Sequence, residues 1–386
     1  FVGGVISAFS GCEAGVMLVN ATQGVEVGTD IFARYAKQYN KPLIFAVNQL
    51  DSEKQDWHAT IDSMRAMLGK RMVLIQMPVN PGTGFDTFID VLTNKCYHFK
   101  DENGTREEMP IPDELADEVA QMRQNMMEVA AEGTEELMEI FFEKGELTID
   151  QMRAGLSAGI AAGTAYPVFC LSAKRDIGVK RLMEFIINVV PAPSKKEAKL
   201  KNGGTVKFDA SAPTSLFVFK TAQEQHLGDV TYFKVITGTL KEGDDLINPE
   251  TGNKERISAI YAVAGKKREK VSEVHAGDIA CTVKLKSVKS NQTLCAPGCD
   301  NVYEPTQYPA PKYRTAIKAK EEKDEEKLGE LLSKASAEDP TIHVEYSKEL
   351  KQTILSGMGE HHINILKWVI NNEAKLEIEL FAPKIP

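Results

Sequence analysis

Two polar motifs each follow an apolar run, and they carry the residue types that can recognise the edge of a purine base. Their members are Asn48, Gln49, Asp51, Ser172, Ala173 and Lys174. The two oxygens of a fixed carboxylate at Asp51 can accept hydrogen bonds from N1 and N2 of guanine. The backbone N–H of Ala173 can donate to guanine O6, which adenine does not have. Together the motifs predict a guanine pocket.

Each motif also has a simpler interpretation. The 48–51 segment can be a turn in which Asp51 or Ser52 caps the following helix. Ser172 can be a turn hydroxyl, and Lys174 can be a solvated surface charge. The binding interpretation is favoured because both motifs follow predicted parallel strands, and ligands of such sheets lie at the carboxyl ends of the strands.

A phosphate loop is the second requirement for binding a nucleotide. No segment matches Gly-x-x-x-x-Gly-Lys-Ser/Thr, whose backbone N–H groups and lysine hold phosphates. The nearest segments, 24–28 and 265–266, fail the spacing. We therefore expect an excised fragment that is inactive alone and is completed by residues upstream of Phe1.

Composition excludes several classes of protein. At 386 residues the chain is long enough for about two to four domains. Its apolar runs are far shorter than a membrane span. Six cysteines are scattered along the chain, which favours reduced thiols in a cytoplasmic protein over a disulfide framework. These observations predict a soluble monomer with no membrane partner.

The net charge of −9 comes from one stretch of the sequence. Residues 101–150 contain 16 acidic and 3 basic side chains, whereas the rest of the chain has a small positive balance. A segment with one sign of charge is commonly a solvated face, but it can also be a docking surface for a basic protein.

The apolar pattern predicts three domains. Residues 1–200 alternate strands and helices, which indicates a doubly wound parallel sheet. The two motifs are much further apart than the roughly 30 residues of one βαβ unit, so we predict a helical insert over about 70–163. The strands are expected at 14–19, 43–47 and 72–76, and the helices at 29–38, 57–68, 116–131, 135–143, 148–162 and 180–189.

The rest of the chain predicts two smaller domains after a polar linker at 195–204. Short strands and Gly-Asp turns over 205–302 indicate an antiparallel β-barrel. Residues 309–386 show the βαββαβ order of a ferredoxin-like fold. The basic cluster at 266–268 is interpreted as a solvated turn.

Several segments resemble elongation factor G, the translocation GTPase of the ribosome, over essentially the whole chain. Besides the two motifs, the matching segments are Ala21-Thr22-Gln23-Gly24-Val25, Tyr232 to Leu240, Lys267-Arg268-Glu269, His275-Ala276-Gly277-Asp278-Ile279-Ala280, Gln352-Thr353-Ile354 and Gly357-Met358-Gly359-Glu360. The resemblance implies a GTPase domain with an accessory insert, followed by domains II and III. It also implies that the phosphate loop, the Mg²⁺ ligands, the catalytic histidine and domains IV and V lie outside this chain.

The resemblance further implies GTP and GDP as ligands and the ribosome, including its RNA, as a partner. The acidic stretch 101–150 then corresponds to a surface for the ribosomal stalk protein. One departure is Gln49, which stands where the family has a lysine whose stem covers the base. This change suggests a divergent paralogue. A ribosomal protection protein, release factor three or a non-hydrolysing ribosome-binding paralogue are the alternatives.

Overall fold

The computed structural model describes residues 2–100, 105–224, 228–265 and 267–384. Asp101 and Glu102 of the acidic stretch, Lys266 of the basic cluster, and the end residues Phe1 and Pro386 lie outside these ranges. The chain divides into two compact units, Cys12–Ala192 in one and Phe1–Gly11 with Pro193–Pro386 in the other. Among the described residues, no helix has the length and apolar character needed to cross a membrane.

The Cys12–Ala192 unit is built on a parallel sheet, as the continuous apolar runs predicted. The chain order begins with α1 (Val2–Gly11) of the other unit, then β1 (Gly15–Asn20), α2 (Val27–Gln38), β2 (Leu43–Asn48), α3 (Trp57–Leu68) and β3 (Met72–Leu74). Strand β2 is buried along its length from Leu43 to Val47, because neighbouring strands and packed layers cover it. This burial fixes where its carboxyl end emerges.

The insert is not only helical, which corrects the sequence prediction. The predicted 72–76 strand ends at Leu74, and the chain then enters a four-stranded antiparallel sheet. Its strands are β4 (Gln76–Pro78), β5 (Thr87–Asp90), β6 (Lys95–Phe99) and β7 (Arg106–Met109). Ile75 joins the two sheets, because its N–H donates to Val168 and its carbonyl accepts from Val91. These strands were missed because they are too short for a clear alternation of apolar and polar residues.

Three helices complete the insert at nearly the predicted positions. They are α4 (Ala116–Ala131), α5 (Glu135–Lys144) and α6 (Ile149–Ala162), followed by β8 (Tyr166–Cys170) and α7 (Val179–Val189). On α4, Val119, Met126 and Val129 are buried, whereas Met122 is half-buried. The parallel sheet has the strand order β1-β2-β8-β3. Strand β8 is therefore next to β2 although the insert separates them in sequence.

The second unit begins with a correction to the predicted linker. Residues 195–204 do not form an unstructured linker, because β9 (Glu197–Lys199) pairs with β10 (Thr205–Lys207) as an antiparallel hairpin. An eight-stranded antiparallel sheet and a two-stranded one follow and share an apolar core. Their strands are β11 (Ser215–Glu224), β12 (Gly228–Thr237), β13 (Thr239–Lys241), β14 (Asp245–Ile247), β15 (Lys254–Arg256), β16 (Ile260–Ala264), β17 (Lys267–Val271), β18 (Glu273–His275), β19 (Ile279–Val283) and β20 (Thr293–Cys295).

The last part of the chain has the predicted βαββαβ order. Its elements are β21 (Tyr313–Ala319), α8 (Glu325–Glu338), β22 (His343–Ser347), β23 (Gln352–Gly357), α9 (Glu360–Asn372) and β24 (Ile378–Phe381). The sheet order is β22-β23-β21-β24, with all pairs antiparallel. Both helices cover one face through Leu328, Leu332, Ile363 and Ile370. The fold class is thus the predicted combination of a parallel sheet, an antiparallel β domain and a ferredoxin-like domain.

The insert core offers a test of this packing. Leu156 on α6 is fully buried, whereas Phe142 on α5 is 80% exposed. We expect Leu156→Ala to lower the free energy of unfolding by about 3 kcal/mol, because the truncation leaves a cavity. Phe142→Ala is the matched control and should change it by less than about 0.5 kcal/mol. Chemical denaturation of both variants measures the difference, and equal effects would contradict the described core.

Candidate guanine-recognition site

The carboxyl ends of β1, β2 and β8 meet at one edge of the parallel sheet. Asn20 at the end of β1 is level with Asn48 at the end of β2, and Val47 is level with Cys170 at the end of β8. The side chains of Asn20 and Asn48 and the turns after β2 and β8 therefore lie side by side, at the position where doubly wound sheets bind ligands. This edge contains the turns 48–51 and 172–177.

The two turns are joined by main-chain and side-chain hydrogen bonds. Leu171 donates its N–H to the Val47 carbonyl at 2.8 Å, and Leu50 donates to the Leu171 carbonyl at 3.3 Å. The N–H of Ala173 donates to Oδ1 of Asn48 at 2.9 Å. The structure therefore brings together the two motifs that the sequence placed 125 positions apart.

This last bond changes the role assigned to two residues. The motif predicts that the Ala173 N–H donates to guanine O6, but in the structure this N–H donates to Asn48. Because an amide N–H requires an acceptor, the bond identifies the oxygen of the Asn48 side chain and orients its Nδ2 the other way. Nδ2 has no hydrogen-bond partner among the described residues. It is a donor suited to the N7 acceptor that guanine shares with adenine.

Asp51 is left as the residue able to discriminate between bases. The simpler interpretation, in which Asp51 or Ser52 caps α3, is wrong, because Asp56 is the N-cap and accepts from the Ala59 N–H at 2.9 Å. The half-buried carboxylate of Asp51 forms no hydrogen bond or ion pair within the described ranges. A carboxylate that serves neither a cap nor an ion pair is available to a ligand.

Gln49 has an uncommon backbone conformation. Its φ is +65°, in the left-handed region that non-glycine residues occupy at a cost of about 1–2 kcal/mol. The N–H of Ser52 donates to the Gln49 carbonyl at 3.1 Å, which closes the turn. Gln49 is exposed, so no packing compensates this strain. Such strain is typical of functional turns.

The 172–177 turn is a closed loop of backbone. Ser172 and Ile177 exchange both main-chain hydrogen bonds at 3.0 Å, which leaves Ala173 and Lys174 exposed at the tip. Ser172 itself is fully buried. Among the described residues, its hydroxyl accepts only a long 3.4 Å bond from the Arg175 N–H, so this side chain serves the turn. The groups that can reach a ligand are those at the tip.

Two polar residues next to the site were missed by sequence reasoning. Gln76 is fully buried and accepts the N–H of Cys170, and Arg175 donates to the carbonyl of Phe85. Gln76 was detectable as the lone polar residue inside the apolar stretch 72–77. Burial raises the pKa of the Cys170 thiol well above its ordinary value, so this cysteine stays protonated.

Comparisons with known proteins agree with this architecture. The family model for the elongation factor Tu GTP binding domain matches residues 1–192. Models for elongation factor G domain 2 and for elongation factor G domain III match residues 213–297 and 308–382. The chain is an elongation factor G-like protein. It therefore has the domain order of the elongation factor G family, as the sequence resemblance implied.

A solved structure supports the same assignment of fold. A crystal structure of a protein from Thermus thermophilus superposes with a TM-score of 0.85 at 28% sequence identity. The match covers all of this elongation factor G-like chain and 56% of the other chain. The chain thus spans little more than half the length of that protein.

Gly178 provides a test of the 172–177 turn. Its φ is +80°, and a Cβ there would lie 2.5 Å from the Cys170 carbonyl oxygen. We expect Gly178→Ala to lower the free energy of unfolding by about 3 kcal/mol, through the strained φ and the steric overlap together. Gly145, with φ +72° and open space around it, is the control, and Gly145→Ala should cost about 1 kcal/mol. Thermal unfolding that shows equal losses would contradict this geometry.

Proposed function

We propose that this chain forms the base-recognition part of a ribosome-associated translational GTPase that promotes the movement of tRNA and mRNA during protein synthesis. The guanine site consists of Asn48, Gln49, Asp51, Ala173 and Lys174, and the buried Ser172 holds the turn that presents the last two. The observation that supports this proposal is the hydrogen bond from the Ala173 N–H to Asn48 Oδ1, because it joins both motifs. Within the described ranges the Asp51 carboxylate forms no hydrogen bond or ion pair. The family assignment supports the step from base recognition to GTP.

Each residue of the proposed site has a distinct task. The Asp51 carboxylate accepts from N1 and N2 of guanine, an edge that adenine does not offer. Asn48 donates through Nδ2 to N7, while Ala173 holds its Oδ1. The exposed side chains of Gln49 and Lys174 lie along the two faces of the base. Gln49 contributes contact without the positive charge of the family lysine.

The nucleotide brings its own chemistry, which this chain does not complete. Bound GTP supplies a phosphoanhydride whose hydrolysis depends on positioning and on neutralisation of charge. No phosphate-loop sequence occurs in the 386 residues, and no Mg²⁺ ligand is assigned here. We therefore propose that the chain selects the base and does not hydrolyse GTP by itself.

The remaining assignments follow from the family. We propose a G-type domain over 1–200 with an insert over about 70–163, domain II over 205–302 and domain III over 309–386. The protein acts as a cytoplasmic monomer on the ribosome and its RNA. A translocase is favoured over the related factors because the insert is large and acidic.

The insert presents carboxylates to a basic partner, for which we propose the ribosomal stalk protein. Of the described acidic residues within 105–150, only Glu107, Glu108 and Asp150 form ion pairs. The others leave their charge uncompensated along α4 and α5. Unpaired charges of one sign attract an opposite surface and accelerate association at low ionic strength.

Base selection is tested by exchanging the Asp51 carboxylate for an amide. The oxygen of an asparagine at position 51 still accepts from N1 of the base, but its Nδ2 then faces the 2-amino group of guanine, which is also a donor. Xanthine has a carbonyl oxygen in place of this amino group and can accept from Nδ2. We expect Asp51→Asn to weaken guanosine binding at least about tenfold, the effect of losing one charge-assisted bond, and to favour xanthosine. Titrations with millimolar nucleosides followed by protein NMR measure both affinities.

The exposed neighbour Glu53 provides the matched control. Glu53→Gln removes the same charge two residues away and should leave guanosine and xanthosine affinities unchanged. Gln49→Lys should strengthen guanine nucleotide binding without changing base preference. A wild-type chain that binds adenosine as well as guanosine would contradict the proposed site.

The stalk interaction is tested by reversing charges on α5. We expect Glu136→Lys, Glu139→Lys and Glu143→Lys together to reduce binding to the isolated stalk protein severalfold at low salt, because attraction becomes repulsion. The control reverses two exposed charges on α8, with Glu326→Lys and Glu330→Lys, and is compared with the α5 double variant Glu136→Lys and Glu139→Lys as well as with the triple variant. Surface plasmon resonance over a range of salt concentrations measures both. Unchanged affinity in the α5 variant would rule out this surface.

A further inference from the structure

One segment of the insert touches both turns of the proposed site. The insert hairpin, residues 76–90, consists of β4, β5 and the loop between them. Gln76 and Asp90 are directly opposite each other in the antiparallel pairing of these strands. Both side chains are fully buried, although both are polar. Buried polar groups require partners, so their bonds fix the position of the hairpin.

These partners flank the 172–177 turn. Oε1 of Gln76 accepts the N–H of Cys170 at 3.1 Å, two residues before the turn. The carboxylate of Asp90 pairs with the guanidinium of Arg181 in the first turn of α7, shortly after it. The residues on both sides of the turn are thus bonded to one cross-strand pair of the hairpin, Gln76 and Asp90.

The loop of the hairpin contacts the turns themselves. Nη1 of Arg175, inside the 172–177 turn, donates to the Phe85 carbonyl at 2.6 Å. The N–H of Gly82 donates to the Leu50 carbonyl at 2.7 Å, inside the 48–51 turn. Four polar contacts therefore connect the hairpin to both recognition turns or to the residues that flank them.

We propose that the insert hairpin positions the two turns, with Gln76 and Arg175 as positioning residues for recognition of the base. This inference rests on the proposed function and deepens it. The insert separates the two motifs in sequence, yet its first two strands hold them in register in space. Displacement of the hairpin then moves Ala173 away from Asn48 Oδ1 and releases the Asn48 amide, whose Nδ2 is the donor that faces the base.

The hairpin also links the site to the rest of the insert. Strand β5 pairs with β6, and β6 pairs with β7. Arg123 of α4 donates to the carbonyls of Val91 and Leu92, directly after β5. A protein that docks on α4 or α5 therefore contacts a part of the insert that is joined, through the insert hairpin, to the 48–51 and 172–177 turns.

The experiment measures exchange of the Ala173 amide hydrogen with solvent, because this N–H bonds to Asn48 and reports the geometry of both turns without any ligand. Gln76→Met keeps the size of the side chain and removes the acceptor. Arg175→Met removes the donor to Phe85, and Arg175→Lys retains one. We expect about tenfold faster exchange in both methionine variants and recovery in the lysine variant.

Asn125 supplies the matched control, because its Nδ2 ties α4 to the Met72 carbonyl on β3 and contacts neither turn. Asn125→Leu should leave Ala173 exchange unchanged, even if it lowers stability as much as Gln76→Met does. Equal acceleration in the control, or none in the methionine variants, overturns the inference.

A second measurement separates this inference from the proposed function. Guanosine affinity should fall at least threefold in Gln76→Met and Arg175→Met, at temperatures where all variants are fully folded. If the unmodified chain binds guanosine and these variants bind it equally well, positioning by the hairpin is excluded. If the unmodified chain binds no guanosine, the proposed function fails, and the exchange measurement still decides whether the hairpin positions the turns.

Discussion

The hydrogen bond from the Ala173 N–H to Asn48 Oδ1 is the contact on which the site depends. It forms because β2 and β8 are neighbours in a parallel sheet, so their carboxyl ends emerge at the same edge. The bond orients the Asn48 amide, and the Asp51 carboxylate of the same turn has no partner within the described ranges. Loss of this contact would release the Asn48 amide, whereas Leu50 and Leu171 would still join the two turns through the main chain.

The large insert does not disturb this adjacency, for a structural reason. It begins in a second sheet that is continuous with the first through Ile75 and returns through β8. The buried pair of Asp90 and Arg181 fixes the returning chain, because separation of the two groups would leave a charge buried without a partner. An insertion that shares a core with its host domain is therefore a structural support of the site.

Gln49 is the residue of the proposed site at which this sequence departs from the family motif. Its backbone is left-handed although the exposed side chain gains no packing from that conformation, so the neighbouring residues impose the shape of the turn. In the proposed site this side chain lies along the base but brings no charge toward phosphates. Base selection and phosphate binding are thus separable, and in this chain only the first has assigned residues.

The sequence alone determined the elements with strong periodicity. Helices α3 and α4 occur at the predicted residues, because apolar residues at helical spacing over segments of this length are compatible with a helix and not with a strand. The fold class followed from the same patterns. The short strands β4 to β7 and the hairpin of β9 and β10 did not, because strands of three to five residues are stabilised by partners distant in sequence rather than by local preference.

Only the tertiary structure decided which groups face one another. The motifs identified Asn48 and Ala173, but the register between β2 and β8 made them partners and redirected the Ala173 N–H from the base to the amide. The same holds for α3, where spacing left Asp51 and Ser52 as caps until the backbone placed Asp56 there. Residue types set which hydrogen bonds are possible, and the packing of distant segments selects among them, because a buried or capping group accepts only the partner that lies within reach.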